Sequence, residues 1–345
     1  MLAAPVTDAP VTFFTVSDSR YFLGVTAMVN SLRICGHTEE IVVLDCGLTP
    51  DQRQLLRKEC SVRPLLESRQ ASHPTYYKLS APRAHSAEKV VLIDSDMIVT
   101  GHLGGLLEDL ERGKIVGYPD PEGDRWFGEW EKIFELPGPP RQQSYMNAGF
   151  VAFSRAVYPE LLEDWWNACS RTLDQPATTR DGGRGATAQG DQDALNAVLM
   201  SRYPKDAIKL RNGNEAPQAE ALRRGVKIIN LHTLACEYRG ERTLVLHQAG
   251  ANKPWRSVTG MRKTAFVDLM RRLLNSEDIA IRPAPSAIPF WLKGGMMPRL
   301  LVEGLHWRTR GVNLWKRASW RARSRVIQPL SELVRVKLKT ADARK

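Results

Sequence analysis

The run Val90-Val91-Leu92-Ile93 stops on two carboxylates in Asp94-Ser95-Asp96, and no other feature of the chain limits its fold as much. Four successive apolar residues bounded by polar sequence, with Val and Ile prominent, carry the signature of a strand buried on both faces, as in a parallel α/β sheet. Open α/β sheets bind ligands at the carboxyl ends of their strands, which is where these acids stand. Both acids can serve one cation if the chain turns at hydrophilic Ser95. Hard oxygen donors of this kind suit Mg²⁺ or Mn²⁺ holding a diphosphate. The alternative is that Asp94 and Asp96 only cap a strand, and the motif by itself leaves both readings open.

The preceding sequence supports such a sheet. Val11 to Val16 is strand-like, Ser17-Asp18-Ser19-Arg20 is a polar turn, and Phe22, Val25, Met28, Val29 and Leu32 recur at helical spacing. Ile41 to Leu44 forms a second apolar run, and Asp51 to Glu59 reads as a helix. Alternation of this kind predicts a mostly parallel sheet with right-handed crossovers. Thr15 to Asp18 and Asp94 to Asp96 then share its carboxyl edge. Between Leu173 and Gly190 runs a Thr/Gly-rich loop of a length that is usually mobile or functional.

The 345 residues suffice for one large α/β domain and an appendage. The expected division is a catalytic body over 1–280, a Pro-rich linker over 281–289 containing Pro283, Pro285 and Pro289, and a tail over 290–345. Charge supports the last boundary. Of 49 Lys+Arg and 38 Asp+Glu, the tail holds 14 and 3, so the net charge of +11 resides entirely there. It also holds Trp291, Trp307, Trp315 and Trp320, with Leu300, Leu301, Leu305 and Leu314 near helical spacing. Basic amphipathic helices carrying tryptophan favour an anionic bilayer surface. A helical pair packed on the body, or a nucleic-acid surface, are the alternatives, with nucleic acid the weaker. Five scattered cysteines without CxxC spacing argue against a disulfide framework or zinc site and for a reducing compartment. The N-terminus lacks the pattern of a signal peptide, and no window matches a transmembrane helix. The expected location is therefore the cytoplasm, with peripheral association at the inner face of the plasma membrane.

Two further stretches bear on Asp94 and Asp96. In Met146-Asn147-Ala148-Gly149-Phe150 an Asn-Ala-Gly turn enters a strand, with Gly149 permitting close backbone approach and Asn147 offering a carboxamide to a sugar hydroxyl. In Leu246-His247-Gln248-Ala249-Gly250-Ala251-Asn252-Lys253-Pro254-Trp255 a strand delivers His247 as a candidate third metal ligand, and Lys253 can neutralise phosphate. A lone histidine after a strand is more often structural, as is a lone Lys-Pro-Trp. Here, however, Asp-x-Asp, Asn-Ala-Gly, Gly190-Asp191-Gln192-Asp193 and His-x-x-Gly-x-x-Lys-Pro-Trp occur in that order.

With this ordered set the chain resembles the retaining glycosyltransferases of family 8, over about Val11 to Trp255. The resemblance implies a GT-A fold: a single Rossmann-like α/β domain, here with a basic, Trp-containing helical C-terminal tail, binding a UDP-sugar with Mn²⁺ (or Mg²⁺ in its place). By position it implies Asp94, Asp96 and His247 as metal ligands, and Gly250 and Lys253 on the diphosphate. It implies Thr15, Asp18 and Tyr21 around uridine, Lys78 near the donor sugar or phosphates, and Ser95 near the ribose. Asn147, Asp191 and Gln192 would line the sugar, with Asp191 and Gln192 at the reacting face. Ser19-Arg20 departs from the family's Asp/Asn-rich pair, which bears on base recognition.

The implied activity is retaining transfer of glucose or galactose from UDP to a glycan acceptor, such as a lipopolysaccharide, lipid-linked or other cell-surface glycan. Two other classes compete. One is a haloacid-dehalogenase-like Mg²⁺ phosphatase, in which an apolar strand also ends in Asp-x-Asp; such a motif normally sits near the chain start and gives His247 to Trp255 no role. The other is a non-catalytic membrane adaptor using the basic tail, against which the intact acids argue.

Overall fold

The computed structural model describes residues 10–65, 74–121, 123–172, 185–218, 220–257 and 264–293. Most of the expected loop after Leu173 and the expected tail from residue 294 onward lie outside these residues.

In chain order the strands are β1 (Val11–Ser17), β2 (Glu40–Asp45), β3 (Ser61–Pro64), β4 (Lys89–Ile93), β5 (Met97–Val99), β6 (Ile115–Pro119), β7 (Met146–Ser154), β8 (Ile208–Leu210), β9 (Val226–Asn230), β10 (Ala235–Tyr238), β11 (Glu241–Arg242) and β12 (Val245–His247). The helices are α1 (Phe22–Ile34), α2 (Pro50–Leu56), α3 (Ser80–Arg83), α4 (Gly104–Glu111), α5 (Trp130–Ile133), α6 (Leu161–Ser170), α7 (Asp191–Arg202), α8 (Glu220–Arg224) and α9 (Ala265–Asn275). The helix expected over Asp51 to Glu59 is α2. It starts where Thr49 and Gln52 form a reciprocal capping box before Pro50, and it stops three residues short of Glu59. Among the described residues no helix is long and apolar enough to cross a membrane.

Seven strands form one sheet in the order β3-β2-β1-β4-β7-β6-β8. All neighbours are parallel except β7, which runs antiparallel to both β4 and β6. The sheet is therefore mostly parallel, as expected. Because the strands are covered on both faces, they read as nearly unbroken apolar runs. One set of alternate residues (Phe14, Val42, Val90, Leu92, Val151 and Phe153) packs with Trp165 of α6 and Leu195 and Val198 of α7. Phe13 and Val91 belong to the opposite set and are equally buried. A three-stranded sheet, β11-β10-β9, and the pair β12-β5 complete the described architecture.

The reversal of β7 positions the site. Since β7 runs opposite to β4, its first residues lie at the same edge as the last residues of β4, with Ile93 opposite Phe150. The Asn147-Ala148-Gly149 sequence is consequently the opening of the strand rather than a turn before it. Within it Asn147 accepts the Gly149 N–H on its own side-chain Oδ1 at 2.9 Å.

Candidate active site

The chain turns at Asp94-Ser95-Asp96, where the Met97 N–H reaches the Asp94 carbonyl at 3.1 Å. It then re-enters as β5, and β12 pairs antiparallel with β5 so that His247 stands opposite Met97. The Gln248 N–H closes this corner on the Asp96 carbonyl at 3.0 Å. On the other side the Asp94 N–H donates to the Gly149 carbonyl at 2.8 Å. Gly149 also leaves little room for a side chain, because a Cβ there would lie 2.6 Å from Met97 Cε and 2.9 Å from both Asn147 Oδ1 and His247 Cε1. As a result one donor atom each from Asp94, Asp96 and His247 lies within 4.8 Å of the others. Two carboxylates and an imidazole in reach of one point fit a divalent ion of the Mn²⁺ or Mg²⁺ kind.

These residues open onto a cavity of about 610 Å³, large enough for a nucleotide sugar. The cavity is lined by every sequence-predicted site residue except Thr15: Asp18, Tyr21, Lys78, Asp94, Ser95, Asp96, Asn147, Asp191, Gln192, His247, Gly250 and Lys253. Thr15 is buried in β1, and its Oγ1 has no hydrogen-bond partner among the described residues. Its neighbour Val16 does line the cavity.

Two buried lysines balance the acids. Lys78 comes from the 3₁₀ turn Pro74–Leu79 and ion-pairs Asp191 at 2.7 Å and Asp94 at 3.3 Å, while donating to the Ala148 carbonyl at 3.0 Å. Burial opposes its charge, but Asp191 and Asp94 outweigh burial and raise its pKa, so Lys78 is a permanent cation. Lys253 ion-pairs Asp96 and donates to the Gln248 carbonyl at 2.6 Å. Burial pushes the Asp96 carboxyl up, yet Lys253 and His247 together hold it well below the usual carboxylate range. The His247 Nε2 lies 3.4 Å from Asp96.

At the opposite wall Gln192 is fixed at both ends of its amide. Its Oε1 accepts the Ala148 N–H at 3.0 Å and its Nε2 donates to Asp120 at 3.0 Å. The same Asp120 oxygen accepts from Asn147 at 2.9 Å. Asp191 and Gln192 open α7, where exposed backbone N–H groups favour acidic side chains. Asp193, one residue on, has a carboxylate occupied by Arg125 at 3.1 Å, by the Tyr145 hydroxyl at 2.7 Å and by the Gln189 N–H at 2.7 Å. Tyr145 is thus structural, and it is buried.

Asp18 accepts the Arg20 and Tyr21 N–H groups at 2.9 and 3.0 Å and pairs with the Arg20 guanidinium at 2.6 Å. Arg20, which stands where the family resemblance leads one to expect an Asp/Asn, engages the very acid expected near uridine. Tyr21 packs edge-on against Trp255, with ring centroids 5.8 Å apart.

The cavity also holds Asp120, Gln189 and Gln218, which sequence reasoning missed. Asp120 had a usable signal: it follows the apolar run of β6 just as Asp94 follows β4. Gln218 had none, since it reaches the site through an isolated bridge to His247.

A model of the family described as Glycosyl transferase family 8 matches residues 13–259, more than half of the chain. No curated protein matches the sequence. Among solved structures, the bifunctional glycosyltransferase WbbM in its apo form is 19% identical with a TM-score of 0.50, over 77% of this chain and 50% of that one, so the chain spans about half its length. The galactosyltransferase LgtC in complex with donor and acceptor sugar analogues is 18% identical with a TM-score of 0.50, over 77% of this chain and 98% of LgtC. An active-site mutant of LgtC is 17% identical with a TM-score of 0.50, over 75% and 94% of the two chains. At these identities the structural likeness speaks to the fold, which is GT-A. The family match covers the strand-end acids, the Asn-Ala-Gly segment, the start of α7 and the His247 to Trp255 loop, and by it the chain belongs to glycosyl transferase family 8.

Proposed function

We propose that this glycosyltransferase is a retaining hexosyltransferase that moves glucose or galactose from a UDP-sugar to a glycan acceptor. The observation that carries the reading is the convergence of Asp94, Asp96 and His247 at a cavity whose other charged lining residues include Lys78, Lys253 and Asp191. Asp94, Asp96 and His247 would hold Mn²⁺ or Mg²⁺. When bound, such an ion neutralises the charge that builds on the departing diphosphate.

The chain's own residues supply the rest. Breaking the bond between sugar C1 and the phosphate oxygen builds positive character at C1 and negative charge on UDP. Lys253 is a point charge on a flexible stem and can turn from Asp96 to the diphosphate, stabilising what leaves. Lys78 stays locked between Asp94 and Asp191 and fixes Asp191 beside the sugar. Gln192 and Asn147, tied to one Asp120 oxygen, present their remaining polar capacity to sugar hydroxyls. A carboxamide is a poor nucleophile, so with Gln192 at the reacting face we favour attack by the acceptor on the same face that UDP leaves. The acceptor proton passes to the leaving phosphate oxygen. Family membership leaves no role for the phosphatase alternative, and the paired acids and lysines argue against a degenerate adaptor.

A lipopolysaccharide or other lipid-linked, cell-surface glycan is the acceptor we propose. The basic tail over 290–345, joined to the 1–280 body through 281–289, would keep a cytoplasmic enzyme at the inner face of the plasma membrane. The catalytic reading is tested by calorimetric titration of UDP with and without Mn²⁺, on the wild type and on Asp96→Ala. Metal-dependent binding lost in the variant is expected. Binding unaffected by metal and by the substitution would overturn the reading.

A further inference from the structure

Beyond α9, residues 276–293 lie back along the domain. Asn30 of α1 holds this segment in both directions, donating to the Ile281 carbonyl at 2.9 Å and accepting the Ile281 N–H at 2.8 Å. Ile279, Ile281, Ile288 and Leu292 are buried. The far end is fixed on α9, where Asn275 donates to the Leu292 carbonyl at 2.9 Å and Arg271 donates to the Trp291 carbonyl at 3.2 Å. All of this lies after residue 259, where the family match ends.

One side chain of this strap reaches the loop that carries Lys253. The Trp291 indole Nε1–H donates to the Pro254 carbonyl at 2.8 Å. Pro254 directly follows Lys253 and is itself buried. A proline has no N–H with which to anchor the loop, and a buried carbonyl needs a donor. The next residue, Trp255, is held separately through its own indole on the Arg20 carbonyl at 2.9 Å. The backbone that carries Lys253 is therefore pinned from two sides, by the α1 entry and by the strap.

We infer that Trp291 is a positioning residue for donor binding: its indole N–H sets the backbone of Lys253-Pro254 and so the reach of the Lys253 ammonium toward the diphosphate. The inference rests on the proposed assignment of Lys253 to the diphosphate. Trp291→Phe tests it, because it removes the indole N–H while keeping an aromatic ring at the position. In the full-length chain with Mn²⁺, this variant binds UDP about 3- to 10-fold more weakly, the worth of one hydrogen bond of ordinary net strength. Its affinity for uridine, which has no phosphate for Lys253 to meet, is unchanged. Lys253→Met is the parallel control, and adding Trp291→Phe to it weakens UDP no further, since both act through one contact.

Equal weakening of UDP and uridine would mean general loosening and would overturn the inference. So would unchanged UDP affinity in Trp291→Phe while Lys253→Met loses it, an outcome that leaves the diphosphate assignment standing. Full UDP affinity in Lys253→Met would remove that assignment and the inference with it.

Discussion

Asp96 shares its two oxygens between His247 and Lys253, which makes it the residue where the proposed metal and diphosphate sites meet. A buried carboxylate in this position is stable only because both partners favour its charged form. Removing the charge strands Lys253, whose other acceptor is the neutral Gln248 carbonyl. Asp96→Asn should therefore cost about 3 kcal/mol at neutral pH, as when one member of a buried pair is deleted. The pH dependence has a definite sign. An acid whose folded-state pKa is depressed contributes stability in full above its unfolded value, about 3.9. That contribution is lost as pH falls through the folded value, which for Asp96 lies well below the usual range. In urea denaturation the gap between wild type and Asp96→Asn should hold down to about pH 5 and close progressively below about pH 4. A gap that closes between pH 8 and 6 would show that the Asp96 charge is not its source.

At the scale of elements, the reversal of β7 does the most for function. An antiparallel strand beside β4 brings the amide-rich start of β7 to the same edge as the acids that end β4. A parallel strand there would place Asn147 at the opposite edge. The β12-β5 pair adds His247 from a region far along the chain. A Cβ at Gly149 would press on Met97 of β5 and His247 of β12, and Gly149→Ala should separate them from β7. The expected result is a stability loss of about 1–3 kcal/mol, the usual cost of overpacking. UDP affinity in the presence of Mn²⁺ should fall at least about tenfold, since the ligand set spans the displaced contact. Unaltered affinity with reduced stability would show that Met97 alone yields and that the site tolerates the methyl group.

For the whole molecule, the segregation of charge underlies the proposal that the body works on the sugar donor while the basic tail holds it at an anionic surface. The 14 basic residues after residue 289 face only 3 acids. The full chain should sediment with vesicles containing phosphatidylserine, be released as salt rises, and ignore neutral phosphatidylcholine vesicles. Salt-insensitive sedimentation, or none, would remove the membrane role. Trp291 and Leu292 belong by contact to the body, so a truncation meant to isolate the tail must spare residues up to 293. Much of this organisation is legible locally. The apolar runs of β1, β2 and β4, the acids at strand ends and the order of the segments identify both the sheet and most of the cavity lining. Pro283, Pro285 and Pro289 are a different case, since proline stiffens a segment whether it crosses solvent or lies on a surface. The burial of Ile281 and Leu292 on α1 and α9 depends on partners that composition does not name.

The sequence by itself marked the strands β1, β2 and β4, the helices α1 and α2 and the candidate metal ligands, because side-chain periodicity and the chemistry of carboxylate, imidazole and amide are local properties. Tertiary structure alone decided the rest. It set β7 against its neighbours, closed Lys253 onto Asp96 across 157 residues, and gathered Asp120, Gln189 and Gln218 to the cavity. It also laid residues 276–293 against α1, α9 and the loop that carries Lys253. The physical reason is common to all of these. Pairing direction and buried charge balance are settled by which distant segments satisfy one another's hydrogen bonds and charges, and a stretch of sequence carries its own pattern but not its partner's address.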